Sequence, residues 1–157
     1  MTSADLSHLS LSKMTPDNVD DLLPLVRGYH EFEQIELADD LRRASIARLL
    51  SNPQFGTIWG IFEQEQLLGY IAICPSYSIE CGGQDAFVDE FFITEHARGR
   101  GIGYWALSQV KTLTAEEGLY ALHLIVGENN ARAANLYQKL GFEERPGFKF
   151  HSLLLQR

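Results

Sequence analysis

What this chain lacks removes several classes of function before any motif is read. Its two cysteines, Cys74 and Cys81, form no Cys-x-x-Cys pair and are too few for a disulfide framework, so reduced thiols and a cytoplasmic location are expected. No apolar run approaches the ~20 residues of a membrane-spanning helix. The opening residues MTSADLSHLSLSKM hold neither a basic stretch nor a continuous apolar one, so no secretory signal is expected. The five histidines (His8, His30, His96, His123, His151) show no His-Glu-x-x-His or similar spacing, and no metal site is expected. Basic residues are scarce, 13 Lys and Arg against 21 Asp and Glu for a formal charge of −8, which argues against nucleic acid as a partner. There is no repeat, low-complexity tract or linker, and 157 residues suit one core, so residues 1–157 read as a single domain.

The charge is unevenly placed. Residues 1–97 hold sixteen acidic side chains against five basic ones, while residues 98–157 hold five against eight. A polyanionic ligand on the basic part would leave the acidic part to attract a cationic substrate, although an acidic surface also serves solubility alone.

The chain is organised around Val88–Ala106, VDEFFITEHARGRGIGYWA. An apolar strand pattern ends at Ile93, a basic glycine-rich turn follows, and a helical pattern begins near Ile102. Gly99, Gly101 and Gly103 allow a tight curl and close approach of an anion to backbone N–H groups. The first turn of the next helix aims unpaired N–H groups and a partial positive charge at the same place, with Arg98 and Arg100 alongside. A pyrophosphate suits such a loop; a plain glycine-rich connection with solvated arginines is the alternative. No Gly-Lys-Ser/Thr follows, which excludes a Walker loop. A dinucleotide-binding protein is a weaker alternative: Gly101, Gly103 and Ala106 fit Gly-x-Gly-x-x-Ala, but seven residues separate Ile93 from Gly101, where that fingerprint wants its first glycine almost at the strand end.

Around this stretch, Leu9 and Leu11 alternate as a short strand, and Thr15-Pro16 opens a helix that continues through Glu33. A second helix is expected from Asp39 or Asp40 to Leu50, and a hairpin from Thr57–Phe62 and Leu67–Cys74. Pro75 to Asp85 reads as a polar loop and Ala86 to Ile93 as a strand. The helix after the glycine turn ends at Gly118, Ala121 to Val126 is a buried strand, and Asn129-Asn130 caps a helix that stops at Gly141. Phe142 and Phe148–Leu154 are expected to close the sheet.

Two segments resemble the GNAT superfamily of acyl-CoA-dependent N-acetyltransferases. Arg98 to Gly103 match its Arg/Gln-x-x-Gly-x-Gly/Ala loop, and Asn130 to Phe142 match its Asn-x-x-Ala-x-x-Leu-Tyr-x-x-Leu-Gly-Phe segment. Within it, VDEFFI followed by RGRGIG is most similar to diamine and polyamine acetyltransferases. The resemblance implies an α/β fold: a mixed, mostly antiparallel sheet of six or seven strands, splayed between the fourth and fifth and flanked by about four helices. It implies acetyl-CoA in the gap, with CoA as product. The pantetheine arm would bond the backbone near Phe91, Phe92 and Ile93. The pyrophosphate would rest on Gly99, Arg100, Gly101, Ile102, Gly103 and Tyr104, with Arg98 beside it and Asn130 as a further contact or only a helix cap. A homodimer is expected from family habit.

The chemistry needs an amine to lose a proton, an oxyanion donor and a proton for the departing thiolate. Strict alternation sets Asp89 on one face with Phe91 and Ile93, and Glu90 on the other with Val88 and Phe92. By resemblance Glu90, or else Asp89, is the base, and Tyr137 is the acid. Tyr29, Glu31, Phe32 and Glu33 with Tyr77 and Glu80 form either an aromatic, acidic pocket for an ammonium group or merely a helix face and a solvated loop. An acidic pocket favours a small cationic amine: a diamine or polyamine, an aminoglycoside or a lysine-like substrate. A non-catalytic acyl-CoA sensor is the rival from another class.

Overall fold

The computed structural model describes residues 6–156, which fall into two units: one ends at Ile125 and the other begins at Val126. No helix among the described residues is long and apolar enough to cross a membrane.

In the first unit, strand β1 (Leu9–Lys13) leads through a short 3₁₀ turn (Pro16–Asn18) into helix α1 (Val19–Phe32) and helix α2 (Asp39–Leu50). Strands β2 (Thr57–Glu63), β3 (Gln66–Ser78) and β4 (Gly83–Ile93) follow, then helix α3 (Ile102–Glu116) and a two-residue strand β5 (Leu122–His123). The sheet order is β1-β2-β3-β4-β5, antiparallel up to β4 and parallel between β4 and β5.

Thr15 and Asn18 reciprocally cap the 3₁₀ turn, with Pro16 at its first position, so the regular helix starts three residues later than the sequence pattern implied. Leu22, Leu23 and Val26 of α1 and Ile46 of α2 are buried with Met14, Ile58, Tyr70 and Ala72 on one face of the sheet. The opposite face buries Ile61, Ile71, Ile73 and Val88, and α3 buries the stripe Ile102, Ala106, Leu107 and Val110. Burying such side chains is worth about 1.5–3 kcal/mol each, before the cost of ordering the chain.

Three expectations are corrected. The β3–β4 ladder continues through Pro75↔Ala86 to Ser78↔Gly83, so most of the expected 75–85 loop is strand and the turn is confined to residues 79–82. β5 is two residues long, not six. Residues 142–156 form no strand, and the described sheet has five strands. Aromatic and aliphatic composition marks a stretch that fits a sheet, but only a partner edge makes it a strand, and Phe148, Phe150, Leu153 and Leu154 stand exposed.

The second unit holds α4 (Ala131–Lys139). Asn130 caps it by accepting from the Ala133 N–H at 3.1 Å, and Gly141, at φ 90°, ends it as a left-handed residue.

Candidate active site

The parallel pairing of β4 with β5 is brief. It holds at Ala86↔Leu122 and Phe87↔His123, supported by Tyr120 N–H to the Gln84 carbonyl at 2.8 Å and Ala86 N–H to the Ala121 carbonyl at 3.0 Å. β4 then runs from Val88 to Ile93 without β5 beside it. On its other side every one of these residues except Asp89 is matched to β3. The backbone groups of the Phe91–Ile93 segment that face away from β3 therefore lie on an open edge, where the Ile93 carbonyl accepts from Arg98 and the remainder can bond an extended chain of amides.

The glycine turn follows this edge after Thr94 and a short 3₁₀ turn (Glu95–Ala97). Gly99 and Gly101 have φ of 80° and 81°, the left-handed region that an L side chain resists, and Gly101 is the N-cap of α3. Its carbonyl accepts from Trp105 N–H at 3.1 Å, so the N–H groups of Ile102, Gly103 and Tyr104 begin the helix with no partner inside it. The two arginines are engaged by the protein. Arg98 donates from Nε to the Ile93 carbonyl at 2.8 Å and lies over the rings of Phe92 and Phe32, at 5.3 and 5.7 Å. Arg100 pairs with Glu63. The anion-binding capacity of the loop thus rests mainly on backbone.

Asp89 is the position at which alternation fails. The register passes from Ala72↔Glu90 to Ile73↔Val88, leaving Asp89 as an extra, bulged residue. Its insertion reverses parity: Val88 now shares the face of Phe91 and Ile93, while Glu90 and Phe92 lie with Tyr70 and Ala72 on the face covered by α1. The expectation that placed Glu90 with Val88 is corrected accordingly. Asp89 and Glu90 are electrostatically coupled: desolvation first, then the Glu90 charge, raises the Asp89 carboxyl above its ordinary value. The same surroundings push the Cys74 thiol up to about 11, through burial, then Asp89, then Glu90.

A group with a raised native pKa is a stability cost once it ionises. Asp89 costs nothing well below its unfolded value of ~3.9 and progressively more as pH climbs through its raised folded value. Because Asp89 is exposed and solvent screens the effect, Asp89→Asn is expected to gain only slightly in stability over the parent at pH 7 and to lose that advantage near pH 4. Thermal melts across that range check it; an advantage that grew toward acid pH would contradict the assignment.

Glu90 is the centre of a polar chain that crosses from helix to sheet. Its Oε1 is 2.7 Å from His30 Nε2 and its Oε2 accepts from the Tyr70 hydroxyl at 2.6 Å. Arg42, only 6% exposed, donates from Nε to His30 Nδ1 at 3.1 Å and from its terminal nitrogens to the Leu37 carbonyl at 2.8 Å and to Asp39. Because the Arg42 Nε can only donate, His30 Nδ1 must accept. The imidazole proton therefore sits on Nε2 and is given to Glu90. Burial, together with the Glu90 charge, drives the Tyr70 hydroxyl far above its ordinary pKa, so it stays a donor. Both fixed bonds leave Glu90 acceptor capacity for a third group, and its side chain keeps 19% exposure through which one can arrive.

His30, Arg42 and Tyr70 were not among the residues singled out in the sequence. The available signal was positional. His30 continues the buried α1 stripe of Leu23 and Val26, and Arg42 lies one turn before buried Ile46, so each is a polar residue on an apolar face that needs a partner.

The expected amine-binding residues divide into two places. Tyr29 packs edge-on against Phe92, with centroids 6.5 Å apart, and Phe32 meets Arg98, so these reach the Glu90 region. Glu31 and Glu33 are exposed at the end of α1. Tyr77, 75% exposed, is opposite Gln84, seven residues along β3 from Tyr70 and about 23 Å away by the usual strand rise, and Glu80 lies in the turn beyond it. No single small pocket spans both groups. Tyr137, in the second unit, lies on α4 with its ring 5.8 Å from that of Phe142.

The profile of the Acetyltransferase (GNAT) family matches residues 19–142. An uncharacterized N-acetyltransferase of Bacillus subtilis, YhfO, is 29% identical over 135 residues, covering 84% of this chain and 88% of that protein. A spermine/spermidine N(1)-acetyltransferase of the same bacterium is 32% identical over 89 residues, 54% of this chain; the match spans only 57% of that relative. Among solved structures, an integron cassette protein from a salt-marsh metagenome superposes with a TM-score of 0.81 at 30% identity, covering 94% of this chain and 91% of that one. Open β4 edge, glycine turn, family profile and structural likeness agree, and the chain belongs to the GNAT family of acetyltransferases.

Proposed function

We propose that this protein, working as one N-acetyltransferase domain, moves an acetyl group from acetyl-CoA to a primary amine of a small cationic substrate, a diamine or polyamine, an aminoglycoside or a lysine-like amine. The observation that carries the reading is the parting of β4 from β5 ahead of the glycine turn. An extended pantetheine arm presents amides that match the open backbone edge near Phe91, Phe92 and Ile93, and a pyrophosphate matches the N–H groups from Gly99 to Tyr104. In this reading Asn130 adds a cofactor contact to its capping role.

Glu90 takes a proton from the substrate ammonium, directly or across a water, and the freed amine attacks the thioester carbonyl. A C–N bond forms as the C–S bond breaks, a β4 N–H near Phe92 steadies the oxygen, and Tyr137 gives a proton to the departing CoA thiolate and is reprotonated by the excess proton that the new amide nitrogen sheds. Tyr70 and His30 hold Glu90 in place. The cationic preference follows from Asp89 and Glu90 beside each other and from the acidic first 97 residues. The partial likeness to a spermine/spermidine acetyltransferase points the same way.

The direct test incubates the protein with acetyl-CoA and a panel of amines and follows free thiol. Amine-dependent release is expected with cationic primary amines. Tight acetyl-CoA binding without release on any amine would favour the acyl-CoA sensor instead. Tyr137→Phe is expected to lower kcat by about 10²-fold or more while leaving the acetyl-CoA KM near that of the parent; parental turnover in that variant removes the acid role.

A further inference from the structure

We propose that Cys81, Asp85 and His123 form a binding site for one transition-metal ion of the zinc type, separate from the acetyl-transfer groups and independent of that reading. The three donor atoms all lie within 4.8 Å of one another. His123 Nε2 is 3.0 Å from Asp85 Oδ2 and 3.9 Å from Cys81 Sγ. A tetrahedral zinc ion with bonds of about 2.0–2.3 Å separates neighbouring N and O donors by about 3.3 Å and N and S by about 3.5 Å. These two spacings bracket those values, and the Cys81 and Asp85 donors, within 4.8 Å of each other, would draw together around the ion.

The chemistry of the convergence favours an ion over a hydrogen-bonded cluster alone. Oxygen and sulfur both approach the same ring nitrogen, and one N–H cannot point along both lines, whereas a cation among the three satisfies all of them. Thiolate, imidazole and carboxylate together suit zinc or cobalt(II) rather than calcium or magnesium, which demand oxygen. Three protein donors leave a fourth position for water.

The site is built and supported. Asp85 is 4% exposed, and its second oxygen accepts from the Ser76 hydroxyl at 2.5 Å, from the residue directly across the ladder. Such a partner fixes a ligating carboxylate in orientation. The His123 ring packs against Phe87 at 5.3 Å, and the Cys81 N–H is held by Ser78 Oγ at 3.1 Å. The donors come from the β3–β4 turn, β4 and β5, so only the sheet register brings them together. That is why the sequence, read for ligand spacing, predicts no metal. His123 also belongs to the last β4–β5 pair, so a bound ion would clip the strands where they begin to part.

The test is cobalt(II) titration of the full chain, followed by zinc competition. Expected are saturation at one equivalent, a thiolate-to-cobalt charge-transfer band with tetrahedral visible bands, displacement by zinc but not calcium, and a higher Tm with zinc. Cys81→Ser should lose the charge-transfer band and Cys74→Ser should keep it. Asp85→Asn and His123→Gln should weaken affinity by at least about ten-fold. Circular dichroism of each variant confirms folding, and the parent spectrum stands alone should a variant not fold. No saturable binding by the parent, a spectrum without thiolate character, or a band that disappears with Cys74 and survives loss of Cys81 would each overturn the site.

Discussion

Glu90→Gln is expected to reduce kcat for amine acetylation by about 10²- to 10⁴-fold, the span that a positioned general base contributes. The substitution keeps shape and most of the bonding. The amide oxygen still accepts from His30 Nε2, and the amide nitrogen can donate to the Tyr70 oxygen, so thermal stability should change little. What disappears is the anion that receives the substrate proton. Acetyl-CoA affinity is expected to stay near parental, because the proposed donor groups are backbone atoms of β4 and the glycine turn. Steady-state kinetics with calorimetric binding of acetyl-CoA separates the two effects. Turnover within about three-fold of the parent would remove Glu90 from the reaction and leave Asp89 as the nearest carboxylate to examine.

Gly69→Ala is expected to damage both stability and acetyl-CoA use through one contact. Gly69 is paired with Ile93, and a Cβ there would stand 2.3 Å from the Phe92 carbonyl oxygen and 3.1 Å from Ile93 Cα. Those atoms are backbone and cannot rotate away. β4 is also tied at this point by Thr94 N–H to the Leu68 carbonyl at 2.9 Å and by Arg98 to the Ile93 carbonyl. Overpacking of this kind costs about 1–3 kcal/mol, a fall in Tm of about 3–10 °C for a chain this size. The same displacement moves the open edge at Phe92 and Ile93, so the acetyl-CoA KM should rise on the order of ten-fold or more, measured well below the melting transition. A variant melting within about a degree of the parent, with unchanged KM, would show that β4 is not held as tightly as this register implies.

Local chemistry was legible in the sequence wherever one residue type decides the backbone. Asn52-Pro53 stopped α2, Gly118 and Gly141 ended α3 and α4, and Asn130 capped α4, each as the pattern predicts. The parting of the two parallel strands was legible only through the family resemblance. What stayed hidden depends on pairing between distant residues. The Asp89 bulge is visible only against β3, since one extra residue in a strand leaves no mark in its composition and yet exchanges the faces of everything after it. The Glu90 partners come from α1, α2 and β3, so no spacing within a segment could disclose them. The failed strand assignments past Phe142 have the same root: strand-like residues state a preference, and the partner edge decides.

The raised thiol at Cys74 has a consequence for a protein that handles activated acyl groups. A cysteine near two carboxylates that attract amines would also be near an acyl donor, and thioesters exchange readily onto any sulfur anion. With its pKa pushed up to about 11, Cys74 is ionised in only about one molecule in 10⁴ at neutral pH. Burial first, and then the same negative charges that draw in a cationic acceptor, therefore quench a competing internal nucleophile and protect the enzyme from modifying itself.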